Sequence, residues 1–174
     1  MNSTKHAYDW SARSPRGPVD IHAERPYTFA MFERTLSNGV ASLVAATEEL
    51  EQFLSREAVG AEASYACTLA LEEVVTNIFK YAYDDARAHV VRFTAQLTPD
   101  HVVLHFSDDG RPFDPLAAAP PDLARPLEER AIGGLGIHLV RKLADAMEYE
   151  RSGGQNLLTA RFALHPKAPM APTE

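Results

Sequence analysis

Three short stretches of this sequence carry residue types that could bind phosphate groups and a metal ion. Glu73 and Asn77 are four residues apart in a stretch with helical spacing, so their side chains would share one helix face. Asp108 and Gly110 follow an apolar strand, and residues 133–136 read Gly-Gly-Leu-Gly at the start of a further helix. Free backbone N–H groups at a glycine-rich helix start can bind anions. In this order, the three stretches predict a nucleotide-binding pocket.

The first stretch offers a metal ligand and a base. Asn77 could give its amide oxygen to Mg²⁺, which prefers hard oxygen ligands. Glu73 could act as general base on a hydroxyl or a water that attacks a phosphate. Glu72 lies about 100° around the helix and is the weaker candidate for this role. Lys80, three residues beyond Asn77, could reach a phosphate or could be an ordinary surface lysine.

The second and third stretches offer contacts to a base and to phosphates. The carboxylate of Asp108 could accept a hydrogen bond from the amino group of adenine, and Gly110 would let the ligand approach the backbone closely. Gly134, Leu135 and Gly136 would present backbone N–H groups to the phosphates. These glycines do not form a Walker loop, because no Gly-Lys-Ser/Thr follows them, and the third glycine of the dinucleotide fingerprint is missing.

The elements that must position these residues follow from apolar periodicity and turn residues. The sequence predicts, in chain order, a strand at 27–36, helices at 40–56 and 61–83, strands at 90–97 and 102–107, a Pro/Ala-rich lid at 111–130, a helix at 136–146, and strands at 147–151 and 157–164. This order favours an α/β two-layer sandwich, with a mixed, mostly antiparallel sheet and helices on one face. We expect one domain at 27–164, an extended or disordered leader at 1–26 and a flexible tail at 165–174.

Composition excludes several classes of protein. The chain has 174 residues, 45% of them hydrophobic, and a net charge of −7, which argues against a direct nucleic-acid surface. Its single cysteine, Cys67, excludes an internal disulfide and a zinc site built on cysteines. No apolar run is long enough to span a membrane, and the N-terminus does not read as a signal peptide. We therefore expect a cytoplasmic protein without membrane contact.

The order and spacing of these motifs resemble the ATP-binding domain shared by gyrase-type ATPases, histidine kinases and MutL. The finer match is to bacterial anti-sigma-factor serine kinases. The resemblance implies a Bergerat-type fold with ATP and Mg²⁺ as cofactors, Glu73 as catalytic base and Asn77 as the metal ligand. Pro112 replaces the second glycine of the family pattern that begins at Asp108, and this Pro-containing variant is similar to the anti-sigma branch. The family often has a Thr near adenine on its last strand; Asn156 lies near that place here, and neither it nor the following Thr159 is assigned a role.

The resemblance implies a partner-switching regulator. Such a protein holds a sigma factor or another regulated protein inactive, and phosphorylates a serine on a small antagonist protein of the STAS type; it is also expected to form a homodimer. The alternative is a non-catalytic ATP-binding module, which would not need Glu73. The catalytic half of a histidine kinase is disfavoured because no helical hairpin carries a substrate histidine, and a gyrase- or MutL-like machine because no transducer domain is present.

Overall fold

A computed structural model describes residues 30–37, 39–85, 87–117 and 135–164 of the chain. The predicted leader at 1–26, the predicted tail at 165–174 and residues 118–130 of the predicted lid lie outside these ranges, as does Gly134. The elements are, in chain order, β1 (Met31–Ser37), α1 (Val40–Arg56), α2 (Ala61–Tyr81), β2 (Val90–Leu97), β3 (His101–Asp108), α3 (Leu135–Leu143), β4 (Ala146–Ser152) and β5 (Gln155–Ala163).

The five strands form one sheet in the order β1-β2-β3-β5-β4, and all four pairings are antiparallel. A two-residue turn joins β4 to β5, and its glycines, Gly153 and Gly154, have φ angles of 58° and 82°. Positive φ at both turn positions matches the twist of a tight hairpin, and glycine adopts it without steric cost. The α/β fold predicted from the sequence is confirmed, with a sheet that is antiparallel at every described pairing rather than mixed.

The core lies between one face of the sheet and the helices. Alternate residues of β2, β3 and β5 are buried, which is the pattern of a sheet covered on one side. Phe93 and Phe106 are paired across β2 and β3, with ring centroids 5.1 Å apart. Helix α2 contributes a buried stripe that includes Cys67, and burial raises the pKa of this thiol to about 12. Cys67 is therefore a core residue that stays protonated at neutral pH.

The third helix ends earlier than its sequence predicts. The predicted helix ran to residue 146, whereas α3 ends at Leu143 and β4 begins at Ala146. The backbone N–H of Asp145 donates to the carbonyl of Arg161 at 2.8 Å, so the chain has already joined the sheet at this residue. Sheet pairing thus overrides a local sequence that is compatible with a helix.

Among the described helices, none has both the length and the apolar character that a membrane span requires.

Candidate nucleotide-binding site

A pocket with a cavity volume of about 30 Å³, partly open to solvent, lies where α2 and α3 meet the adjoining ends of β3 and β5. Its walls are largely apolar, and four of the lining side chains carry a polar group: those of Asn77, Asp108, Tyr149 and Asn156. Its lining residues are Val74, Asn77, Ile78, Ala82, Phe106, Asp108, Phe113, Pro115, Ile137, Tyr149, Asn156 and Leu158. An apolar cleft with a few polar groups is the common form of a small-molecule site. The pocket unites Asn77 and Asp108, which the sequence analysis had selected from separate stretches.

Asp108 lies at the polar end of the pocket, as the last residue of β3. Its side chain is buried, with 5% of the residue exposed, and Oδ1 accepts hydrogen bonds from the backbone N–H of Gly110 and from Nδ2 of Asn156, both at 2.9 Å. Neither bond uses Oδ2, which can accept a hydrogen bond from a ligand. Burial raises the pKa of Asp108, and the bonds from Asn156 and Gly110 oppose that rise.

Gly110 is required by packing. The side-chain position of this buried glycine faces Ala82, and a Cβ there would lie 2.8 Å from both the backbone oxygen of Ala82 and Oδ1 of Asp108. The next residue, Arg111, donates its N–H to the same Ala82 oxygen at 2.9 Å. The close approach that the glycine permits is therefore to the end of α2. Ligand contact at Gly110, as expected from the sequence, stays a prediction.

Gly110→Ala is expected to lower the free energy of unfolding by about 1–3 kcal/mol, because the added methyl group meets backbone and buried atoms that cannot easily move. Chemical denaturation would measure the change. Gly60→Ala is the matched control: a Cβ at Gly60 meets nothing within 4 Å, and the change should cost less than about 1 kcal/mol. Equal effects of the two substitutions would contradict the packing role of Gly110.

Glu73 and Asn77 follow one another along α2, as predicted. Asn77 lines the pocket, and its Nδ2 donates to the backbone oxygen of Glu73 at 2.7 Å, which leaves its Oδ1 able to bind a metal ion or a ligand. Glu73 is half-buried and its carboxylate lies against Gly136, so closely that a Cβ at this glycine would overlap it. Glu72 is exposed. The structure thus brings Glu73 to the first turn of α3, beside the pocket.

The other predicted site residues, Lys80, Leu135 and Gly136, are not among the described lining residues of the pocket. Lys80 is exposed on the last turn of α2 and is not part of the described pocket wall. Leu135 is the first residue of α3, and its side chain lies outside the description. Gly136 follows it and contacts Glu73. Contacts of these residues with a nucleotide stay predictions.

Asn156 is a buried polar residue of the pocket to which its sequence pattern assigned no role. It is the Cα partner of Asp108 across β3 and β5, and 6% of it is exposed. Among the described residues, Asp108 and Asn156 are the buried polar side chains, and both occupy core-facing positions of their strands. The signal for a role of Asn156 was its polar side chain at a core-facing position of β5, two residues before the buried Leu158.

A second polar cluster flanks the turn after Asp108. The ring of His89 stacks on Tyr83, with centroids 3.8 Å apart. Its Nε2 lies 2.6 Å from Oδ1 of Asp85, and its Nδ1 lies 3.3 Å from Oδ1 of Asp109. The hydrogen bond with Asp85 is the main reason that the pKa of His89 is raised. The cluster joins the connection between α2 and β2 to the residue that follows Asp108.

A metal ion at this site would depend on few protein ligands. Within the described ranges, no group of three or more His, Cys, Asp or Glu side chains could hold a metal ion. Asn77 offers one amide oxygen at the pocket wall. Mg²⁺ commonly uses one or two protein oxygens together with phosphates and waters, so this donor set fits Mg²⁺ held with a nucleotide.

Comparison with known proteins agrees with this geometry. The family described as "Histidine kinase-like ATPase domain" matches residues 36–162. The serine/threonine-protein kinase BtrW of Bordetella bronchiseptica is 34% identical over 110 residues, which are 63% of this chain and 78% of that protein. The serine-protein kinase RsbW of Halalkalibacterium halodurans is 30% identical over 98 residues, 54% of this chain and 59% of that protein. RsbW of Bacillus cereus is 26% identical over 98 residues, 54% of this chain and 61% of that protein.

These comparisons confirm the family that the motifs resemble. The matched region contains Glu73, Asn77, Asp108 and Gly136, and so it includes all three stretches on which the resemblance rests. The match covers well over half of the chain, whereas the chain spans about three fifths of the length of the two RsbW proteins. The chain belongs to the histidine kinase-like ATPase domain family, with relatives among the bacterial serine-protein kinases.

Proposed function

We propose that this chain is an ATP-dependent protein serine kinase of the anti-sigma type. It binds ATP with Mg²⁺, transfers the γ-phosphate to a serine of a small STAS-type antagonist protein, and holds a sigma factor or another regulated protein inactive. The names of its relatives support the kinase activity, because BtrW and RsbW are both called serine kinases. The observation that carries the proposal is the buried Asp108 carboxylate, whose Oδ2 can accept a hydrogen bond at the end of an apolar pocket.

The pocket supports adenine binding in two ways. The apolar side chains of Ile78, Phe106 and Ile137 would bury the faces of the ring, from which water is then excluded. Oδ2 of Asp108 would accept a hydrogen bond from the 6-amino group, and this bond is strong because the acceptor is ionised and buried. The apolar walls would therefore contribute affinity for the ring, and Asp108 would select adenine by its 6-amino group.

The helices would hold and transfer the phosphates. Mg²⁺, when bound, would supply positive charge that offsets the negative charge developed during transfer. Asn77 would bind this ion through Oδ1, because its Nδ2 already donates to the carbonyl of Glu73. The first turn of α3 would hold phosphate oxygens through its backbone N–H groups.

Glu73 is the proposed general base. Its carboxylate would take the proton of the substrate serine hydroxyl as the serine oxygen attacks the γ-phosphorus and ADP leaves. Its position supports this role, because the carboxylate lies against Gly136 at the start of α3, where the phosphates would be bound. A base beside the phosphate-binding turn is within reach of a hydroxyl that attacks in line.

The homodimer implied by the resemblance is part of the proposal. β1 lies at the edge of the sheet and pairs only with β2 among the described strands. On the following helix, Val40 and Val44 lie one turn apart and are 80% and 50% exposed. Apolar side chains beside an open strand edge are typical of an interface between subunits. Analytical ultracentrifugation of the protein would show whether it is a dimer.

The test of the function is phosphate transfer. The protein, Mg-ATP and small antagonist proteins encoded near its gene would be incubated together, and phosphoserine would be located by mass spectrometry. We expect one serine of one antagonist to be phosphorylated, and none when that serine is replaced by alanine. Binding of ATP and of a partner without any transfer would instead favour the alternative, a non-catalytic ATP-binding module in a partner switch.

A further inference from the structure

The side-chain amide of Asn156 has one orientation that satisfies all its neighbours. Its Oδ1 accepts hydrogen bonds from the hydroxyl of Tyr149 and from Nη1 of Arg151, both at 2.8 Å. Its Nδ2 donates to Oδ1 of Asp108 at 2.9 Å and to the backbone oxygen of Arg111 at 3.1 Å. A flipped amide would turn its nitrogen toward Nη1 of Arg151, which can only donate, and its oxygen toward two acceptors, Oδ1 of Asp108 and the backbone oxygen of Arg111. Its neighbours therefore determine the orientation of the amide.

Arg151 donates hydrogen bonds to both residues that themselves donate to Asp108. Its Nη1 donates to Oδ1 of Asn156 and also to the backbone oxygen of Gly110, each at 2.8 Å. Asn156 and Gly110 are in turn the two residues that donate to Oδ1 of Asp108. Arg151 itself lies on β4 and does not belong to the described lining of the pocket. It would therefore act on a ligand through Asn156 and Asp108, which do line the pocket, as a positioning residue.

We propose that Arg151 and Asn156 determine which purine the pocket accepts. This inference rests on the proposed binding of ATP. While Asn156 donates to Oδ1, Asp108 is held as an ionised acceptor, and its free Oδ2 pairs with a 6-amino group and repels a 6-oxo group. Without Arg151 the amide of Asn156 loses a main constraint on its orientation. Its bond to Oδ1 is then weaker, so Asp108 takes up a proton more readily. Because the N–H of Gly110 still donates to Oδ1, this proton lies on Oδ2, from which it can be donated to a 6-oxo group.

The charges around Asp108 support the same conclusion. Burial and the negative charge of Asp109 raise the pKa of Asp108, whereas the bonds from Asn156 and Gly110 and the positive charge of Arg151 lower it. Loss of Arg151 removes this charge and loosens the bond from Asn156, so the pKa should rise further. Affinity for ATP, which requires the ionised form, should then begin to fall at a higher pH than in the wild-type protein.

The test compares two nucleotides that differ at one position of the base. Dissociation constants of Mg-ATP and Mg-ITP, whose base has a 6-oxo group in place of the 6-amino group, would be measured by calorimetry from neutral to acidic pH. We expect the wild-type protein to prefer ATP by about 100-fold or more, since an unmatched buried carboxylate costs at least two factors of ten. In Arg151→Met this ratio should shrink by about tenfold or more, and the fall in ATP affinity should move to higher pH.

Two further variants separate positioning from general stability. Arg161→Met is the matched control, because Arg161 lies on β5 but pairs with Glu148, at 3.5 Å, away from the pocket; it should change neither the ratio nor the pH profile. Arg151→Lys keeps the charge and should recover much of the pH profile. If Arg151→Met does not fold, Asn156→Asp replaces it: the like charge of a second carboxylate beside Asp108 favours the protonated form of Asp108, so the preference for ATP should also shrink.

The outcomes are distinct. Equal loss of ATP and ITP affinity in Arg151→Met, with an unchanged pH profile, would overturn the inference, because a purely structural role has that effect. So would an unchanged ratio in Arg151→Met or in Asn156→Asp while the wild-type protein prefers ATP. If the wild-type protein bound neither nucleotide, the proposed function and this inference would both be wrong.

Discussion

Glu73→Gln is expected to reduce transfer of phosphate to the antagonist serine by roughly 10²–10⁴-fold while ATP binding is retained. Glutamine has the size of glutamate, so it preserves the packing of this side chain against Gly136, but it cannot take the proton of the serine. The nucleotide pocket should be unaffected, because Glu73 is not among its described lining residues. Single-turnover transfer rates and calorimetric ATP titrations of the same preparations would separate the two effects.

Two neighbouring positions on α2 provide the controls. Glu72→Gln should leave transfer near the wild-type rate, because Glu72 is exposed on another part of the helix surface. Asn77→Ala should weaken Mg²⁺-dependent ATP binding as well as transfer, since it removes the proposed metal ligand at the pocket wall. Wild-type transfer rates in Glu73→Gln would show that another group, or none, acts as the base.

Asp108→Asn is expected to remove most of the stabilisation by ATP and to reverse the preference between ATP and ITP. The backbone N–H of Gly110 and Nδ2 of Asn156 both donate to the Oδ1 position, so the oxygen of the new amide must occupy it. The amide nitrogen then takes the place of Oδ2, where its N–H group faces the 6-amino group of ATP, also a donor. A 6-oxo group would be a matching partner for this nitrogen.

Thermal or chemical unfolding with added Mg-nucleotide would measure this change. Ligand at about 100 times its dissociation constant should add roughly 2.7 kcal/mol to the stability of the wild-type protein. If Asp108→Asn weakens ATP binding about 100-fold, the same concentration adds only about 0.4 kcal/mol. Asp109→Asn is the matched control, because Asp109 is exposed and contacts His89 rather than the pocket. An unchanged ATP shift in Asp108→Asn would exclude Asp108 as the acceptor for adenine.

Local sequence patterns predicted most of the fold. The spacing of apolar residues in α1 and α2 and the alternation in β2 and β3 gave their types, order and nearly all of their bounds. The end of α3 could not be predicted in this way, because it is determined by a hydrogen bond between Asp145 and Arg161 in a distant strand. Long-range pairing decides such boundaries, and its register is not visible in one element's own sequence.

The residues of the site also differ in whether local sequence could predict them. Asn77 and Asp108 could be found because each lies in a short motif whose chemistry is local. Asn156 could not be assigned, because its role depends on being opposite Asp108 in the register of β3 and β5. The same register explains why Arg151 carried no signal: its two acceptors, Asn156 and the carbonyl of Gly110, come together only when the sheet has formed.

The placement of the pocket's polar end between two hairpins has a kinetic consequence. β2 pairs with β3, and β4 with β5, through short connections, whereas β3 and β5 meet across the whole intervening segment that includes α3. The entropy of closing so long a loop makes the pairing of β3 with β5 a late step in folding. A nucleotide bound at Asp108 can stabilise only what is already paired, so it should slow unfolding and leave the folding rate nearly unchanged. ATP in the cell would then extend the lifetime of the folded kinase, while newly synthesised chains would reach that state no faster.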